Sequence, residues 1–144
     1  MKRHLYGLCI ILLLRPLYAG CPEADTVQVE VLARTGFSWD GNPLPAYPEG
    51  EPEITLLRIR IPPGAELAMH RHPVINAGVL LEGELTVLTE EGGTLHLKAG
   101  EAIVEVVNTW HYGKNEGLSA AEIVVFYAGV RDSSITVKKV NDAN

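Results

Sequence analysis

The stretch GAELAMHRHPVINAGVLLEGELTVLTEEGGTLHLKAGEAIVEVVNTWHYGKN, residues 64–115, decides the fold. Short aliphatic and β-branched runs alternate in it with turn residues. Ala77 to Leu81 ends at Glu82-Gly83, Glu84 to Thr89 leads to Glu91-Gly92-Gly93, Thr94 to Leu97 ends before Gly100, and Ala102 to Val107 stops at Asn108. β-Branched side chains suit a pleated, half-buried surface, and Gly supplies the positive φ of tight turns. No window sustains a helical apolar period over the length a globular helix needs. The stretch therefore predicts short strands joined by tight turns.

The pattern continues outward on both sides. Ile54 to Ile61 is a strand run closed by Pro62-Pro63-Gly64, Glu122 to Val130 is the last strong run, and Ile135 to Val140 is a weaker one. Val27, Val29 and Val31 alternate with polar residues and read as a first strand. About seven strands at intervals of roughly a dozen residues point to a sandwich or barrel. Between Gly36 and Pro52 stand three Gly and four Pro among Phe37, Trp39 and Tyr47. Pro fixes φ and removes a donor, so this segment is expected as a loop. It is either a linker wrapped on the barrel, with Trp39 and Tyr47 as packing anchors, or a lid over the mouth of a site. The mature domain, residues 27–140, is thus expected to be all-β, a single antiparallel barrel, with no internal repeat. At 144 residues and 47% hydrophobic content the chain can bury a core without disulfide staples.

Residues 1–20 read differently. Lys2 and Arg3 precede an apolar run from Leu5 to Leu14, and small residues follow at Ala19 and Gly20. This is the layout of a secretory signal peptide, with an apolar run too short for an ordinary membrane-spanning helix. Cys9 would leave with the leader, so Cys21 would be the one cysteine of the mature chain and no internal disulfide is expected. Tyr18-Ala19-Gly20-Cys21 resembles the lipobox of bacterial lipoproteins, except that Leu17 stands one place earlier than the usual Leu. Lipidation of Cys21 and ordinary cleavage near Ala19 both remain open, and either leads to a periplasmic or membrane-anchored domain.

Loss of the leader would remove Lys2, Arg3 and Arg15 and no acid, taking the formal charge from −6 to −9 over the remaining 124 residues. Such a domain repels phosphate backbones, and no basic cluster beyond the pair Lys138-Lys139 offsets this. Aromatic residues are only 6% of the chain, too few for a base-stacking surface. Nucleic acid is excluded as a partner; a small-molecule ligand or substrate is expected.

His70 and His72 are two residues apart. On a strand, such residues point to one face, so two imidazoles would project into one interior, near enough to share an ion at about 2.0–2.2 Å each. Burying both without a partner is costly.

The spacing around them resembles the two motifs of the cupin superfamily. Gly64, His70, His72, Asn76 and Gly83 are spaced as in the first motif, and Gly100, Val106, Asn108, His111 and Asn115 as in the second. Three identities differ: Asn76 stands for the usual Glu, Val106 for the usual Pro and Asn108 for the usual Gly. The resemblance implies a jelly-roll barrel in which His70, His72 and His111 bind one divalent transition-metal ion, Fe, Mn, Ni, Zn or Cu, with Asn76 at the fourth ligand position. A carboxamide brings no negative charge, so the resemblance with this change implies a neutral, open site and a more strongly Lewis-acidic ion. A barrel that binds its ligand without metal is the alternative.

Two further residues are candidates for acid–base chemistry. Glu105 shares a strand face with Ile103 and Val107 and is either a pocket acid or base or part of a solvated face. Tyr127 shares parity with Ala121, Ile123 and Val125 and can look into the barrel as a proton donor. His96, Met69, Trp110, Tyr112, Glu82 and Glu84 read as packing or surface residues. Two functions fit: a metallo-cupin acting on a small oxygenated molecule by O2-dependent oxidation, isomerisation or hydrolysis, and a non-catalytic barrel holding a metal or small ligand for sensing or storage. A homodimer through edge strands is expected, as related barrels commonly pair in this way.

Overall fold

A computed structural model of the chain describes residues 26–140. The leader, Cys9, Cys21 and the lipobox-like tetrapeptide lie outside these. Nine strands follow in order: β1 (Pro52–Ile61), β2 (His70–Arg71), β3 (Ile75–Glu82), β4 (Glu84–Thr89), β5 (Thr94–Lys98), β6 (Ala102–Val104), β7 (His111–Lys114), β8 (Ala121–Val130) and β9 (Val137–Lys138). No helix occurs among the described residues.

The strands form two sheets, β1-β8-β3-β6 and β5-β4-β7-β2-β9, with all strand pairings antiparallel. This is the all-β architecture expected from the turn spacing, in the jelly-roll form implied by the cupin-like motifs. In β8 the inward residues Ala121, Ile123, Val125 and Tyr127 are buried, while Glu122, Val124 and Phe126 turn outward. Leu80, Leu85, Val87, Leu97, Ile103 and Ile61 join them from both sheets to make one core. Alternation of period two is what lets each sheet bury one face.

The connections carry their own local logic. Gly83, between β3 and β4, has φ +74°, and a Cβ there would meet the Ala120 carbonyl at 2.6 Å. Only Gly fits that approach. Asn108 has φ +58°. Asn tolerates the left-handed region better than other side chains, so it keeps the turn that a Gly would make at this place in the second motif.

Two sequence expectations are corrected. Val27 to Val31 forms no strand, and its valines are exposed. The alternation is there, but no neighbouring strand completes a ladder, and period alone does not make a strand. In the 36–52 loop, the Trp39 side chain packs against the core and its backbone N–H donates to the Val104 carbonyl (2.9 Å). Tyr47 is 76% exposed and anchors nothing. The weak final run shortens to Val137–Lys138, which nevertheless pairs with the histidine strand β2.

Candidate metal centre

His70 and His111 face each other across β2 and β7. His72, one step past the end of β2, bridges in parallel to Val107 beyond β6, so the pair of histidines spans the gap between the two sheets. Their ring centroids stand 4.9 Å (His70–His72), 4.5 Å (His70–His111) and 5.0 Å (His72–His111) apart. One ring nitrogen from each lies within 4.8 Å of the others.

Backbone carbonyls orient all three rings. Nδ1 of His70 meets the Ala68 carbonyl, Nδ1 of His111 the Thr109 carbonyl and Nδ1 of His72 the Ile135 carbonyl, each at 2.8 Å. A carbonyl oxygen can only accept, so each Nδ1 carries the proton and each Nε2 keeps a bare lone pair. This is the arrangement that supports metal-ligating histidines. Thr136 Oγ1 stands 3.2 Å from the same His72 Nδ1. Burial lowers the pKa of all three, that of His72 to about 4, so the imidazoles are neutral at physiological pH. Neutral imidazole is the metal-binding form. Nε2 of His111 is buried without any hydrogen-bond partner. The donor set and this orphaned atom fit a transition-metal ion.

The four-stranded sheet supplies the opposite wall. Ala77 opposes Val104 and Asn76 opposes Tyr127. The Glu105 N–H donates to the Asn76 carbonyl (3.1 Å), carrying the β3–β6 register one step further. Glu105, Asn76 and Tyr127 thus stand in one inward row across three strands. The Glu105 side chain is 12% exposed overall, but its Oε2 is fully buried, has no hydrogen bond and lies 3.7 Å from His111 Nε2. Burial pushes its carboxyl up to about 7, against weaker favourable effects from the His70 charge, the Val106 backbone and the nearby Trp39 indole. That indole N–H falls short of a true hydrogen bond. The solvated-face alternative for Glu105 is therefore excluded. Val104 and Ala102, only half-buried, stand on the opposite face of β6.

Tyr127, 3% exposed, packs edge-on against His72 at 5.2 Å between centroids. Burial and then the Glu105 charge push its phenol up to about 12, so it stays protonated. Asn76 is completely buried; its Nδ2 reaches the Val74 carbonyl at 3.4 Å and its Oδ1 has no partner.

An inner chamber of about 50 Å³ is lined by His70, His72, His111, Glu105 and Tyr127 together with aliphatic residues, and not by Asn76. It shares His70, His72, Tyr127, Ile59 and Leu67 with an outer vestibule of about 270 Å³, whose rim carries Thr136 and Lys138. The carboxyl group of Glu105 lines the chamber beside the histidines. The 36–52 loop forms no part of the lining of either cavity, so it is no lid over the histidines in this structure. Trp39 stands instead behind Glu105. His96 is exposed on β5 and meets Thr86 Oγ1, away from the site. No local pattern marks Ile135 and Thr136 as partners of His72, because they act through chain closure across more than sixty residues.

The sequence profile of the family described as "Cupin domain" matches residues 57–127. A comparison with curated proteins finds no match. Among solved structures, the chain is similar to a double-stranded β-helix protein from Klebsiella pneumoniae, at 22% identity and TM-score 0.53, covering 65% of this chain and 89% of that one. It is also similar to an oxalate oxidase solved with the substrate analogue glycolate, at 24% identity and TM-score 0.51, covering 59% of this chain and 45% of that one. A DMSP lyase from Ruegeria pomeroyi matches at 17% identity and TM-score 0.55, covering 72% and 49%. The chain spans less than half the length of these two enzymes, and at such identities the likeness is one of fold. The profile match, the double-stranded β-helix neighbours and the two-sheet barrel around three convergent histidines place the chain in the cupin superfamily.

Proposed function

We propose that this protein is an exported metalloprotein in which His70, His72 and His111 hold one divalent transition-metal ion, and that a small oxygenated molecule reaches the ion through the vestibule. The observation that carries this reading is the convergence of one ring nitrogen from each of the three histidines within 4.8 Å, each ring oriented by a backbone carbonyl at Nδ1. When bound, the ion supplies Lewis acidity toward an oxygen of the ligand. The chain's own residues do the rest. Leu57, Ile59, Leu67 and Ala68 give the vestibule an apolar wall that strips water from an entering molecule. Tyr127, protonated and facing the chamber, donates a hydrogen bond to an oxygen atom there. Glu105 is the other protic group on the chamber wall. Oxidation with O2, isomerisation and hydrolysis are the reactions in keeping with these groups. The two named enzymes among the fold neighbours act on small molecules, in keeping with this reading.

A second reading, a barrel that holds a metal or ligand without turnover, is favoured by the size of the chamber. At about 50 Å³ it takes little more than an ion and a water-sized partner. Export, to the periplasm or a membrane anchor at Cys21, rests on the layout of residues 1–21. A homodimer is supported by the exposed apolar residues on the outer face of β1 and β8.

The test is elemental analysis of purified protein beside its His70→Ala and His111→Ala variants. Near-stoichiometric metal in the wild type and its loss in both variants is expected; equal metal in all three ends the proposal. Turnover of small oxygenated molecules by the loaded protein then separates the enzyme from the storage reading.

A further inference from the structure

We propose that Glu105, and not Asn76, supplies the fourth ligand to the metal ion. This rests on the three-histidine reading above and deepens it. The first argument is geometric. Oε2 of Glu105 and Nε2 of His111 are each fully buried, each without a hydrogen-bond partner, and 3.7 Å apart. That distance is too long for a hydrogen bond. Two electron-rich atoms held so close in a dry interior repel unless a proton or a metal ion stands between or beside them, and at 3.7 Å no shared proton bonds the two. Nδ1 of His111 already donates its proton to Thr109, so the ring offers no second hydrogen toward the carboxylate. A cation in the chamber satisfies both atoms together.

The second argument concerns Asn76. Continuing the β3–β6 register places it directly opposite Glu105, and opposed residues of an antiparallel pair share a face. Both occupy the inward row, but only Glu105 lines the chamber with the histidines. The Asn76 amide turns toward the Val74 carbonyl. The carboxylate thus enters from the neighbouring strand, one place across from the residue that the first histidine motif would offer. Three neutral imidazoles and one carboxylate leave a divalent ion with a single net positive charge, where three imidazoles and a carboxamide would leave two.

Glu105 then has a task different from that of a free acid or base: it sets the ion's charge and closes one side of its coordination. Trp39, from the loop before β1, stands against the same carboxyl and limits its rotation away from the chamber.

The experiment measures zinc affinity by competition with a chromophoric chelator, and the visible absorption of the cobalt-substituted full-length protein. The variants are Glu105→Gln, Asn76→Ala and His111→Ala. Loss of an outer-shell partner of a metal site typically weakens binding ~10–100-fold, and loss of a true ligand does at least as much. Glu105→Gln is therefore expected to weaken zinc binding at least ~10-fold and to shift the cobalt absorption. Asn76→Ala is expected to leave affinity and spectrum near those of the wild type. If Glu105→Gln binds zinc like the wild type with an unchanged cobalt spectrum, while His111→Ala loses it, the assignment of Glu105 is overturned and the three-histidine reading stands. If Asn76→Ala loses as much as Glu105→Gln, the choice between them is overturned. If His111→Ala also keeps its metal, both readings fall. Should Glu105→Gln not fold, Glu105→Asp replaces it: a shortened carboxylate predicts weaker but measurable binding with a shifted spectrum, and an unchanged affinity and spectrum overturn the assignment.

Discussion

His72 is oriented by Ile135: its Nδ1–H is donated to the Ile135 carbonyl at 2.8 Å, across sixty-three residues of sequence. The other two imidazoles take their orientation from a carbonyl two residues upstream. Completing the site therefore requires the C-terminal segment to dock, and β9 beside β2 is part of the metal centre.

A prediction follows for the dynamics of that segment. The Lys139 amide, bonded to the Met69 carbonyl, opens whenever β9 leaves β2. Zinc bound only to the closed form suppresses such openings, by up to ~100-fold when free zinc is a hundredfold above its dissociation constant. Hydrogen exchange at Lys139 is expected to slow on zinc addition in the wild type and not in His72→Ala, while the Leu97 amide on β5 changes little.

The metal-free protein should show opposed effects of pH on stability. Glu105 loses its proton near 7 in the fold but near 4.5 when unfolded, so the native state holds the extra proton between these values. Raising the pH through that window removes stability, by about 3 kcal/mol when complete. His72 behaves in reverse: its pKa falls from 6.5 to about 4, so the unfolded chain takes up the proton first and stability is lost as pH drops from 6.5 toward 4. His70 and His111 shift in the same direction as His72. The two windows overlap, so with a chelator present Glu105 offsets part of the histidine loss in the wild type, and Glu105→Gln should show a steeper fall of the urea midpoint as pH drops from about 7 toward 4. A Glu105→Gln profile no steeper than that of the wild type over this range would refute the assignment.

The outer face of the four-stranded sheet predicts self-association. Leu56 (65% exposed) stands directly opposite Phe126 (43% exposed), with Ile54 beside them on the same face. The patch is bounded by Arg58 and its ion pair with Glu122. Apolar clusters with a polar rim mark interaction sites. Sedimentation velocity of the mature domain should give a dimer, and Leu56→Glu or Phe126→Glu a monomer with zinc affinity intact.

Asn108 provides a backbone test. At φ +58° a residue with an ordinary side chain is strained by roughly 1–2 kcal/mol. Asn108→Gly is expected to keep or slightly raise thermal stability, whereas Asn108→Ala lowers it by about 1 kcal/mol. Equal melting temperatures for the two variants would count against the strain argument.

β1, β3, β4, β5, β6 and β8 were legible in the sequence because each is an aliphatic or β-branched run stopped by Gly, Pro or Asn, whereas β2 (HR) and β7 (HYGK) carry no such run and were not. His70 and His72 were legible from their spacing, and His111 only through the second motif, since no local rule joins residues forty positions apart. Tyr127 was legible by parity with its buried neighbours. Glu105 was not. Val104 and Ile103 are both apolar, so alternation around Glu105 marks no inside, and its inward face is set by the pairing of β6 with β3. Val27 to Val31 misled for the opposite reason: its alternation is clear, but a strand exists only when a partner supplies the hydrogen bonds. Ile135 became part of the site through barrel closure, a tertiary event without a local signature.

The upstream carbonyls of His70 and His111 have a consequence for how such a barrel can diversify. Ala68 to His70 and Thr109 to His111 are small self-orienting units, each carrying its own guide for its own ring. Residues that shape the mouth, such as Leu57 and Leu67, can drift toward a new ligand without disturbing these two units. The tail of the chain is different, because Ile135 and Thr136 steer His72 while Thr136 and Lys138 also form the rim of the entrance. In this barrel the last segment both frames the entrance and steers a ligand ring, and substitutions there change the choice of guest and the grip on the ion together.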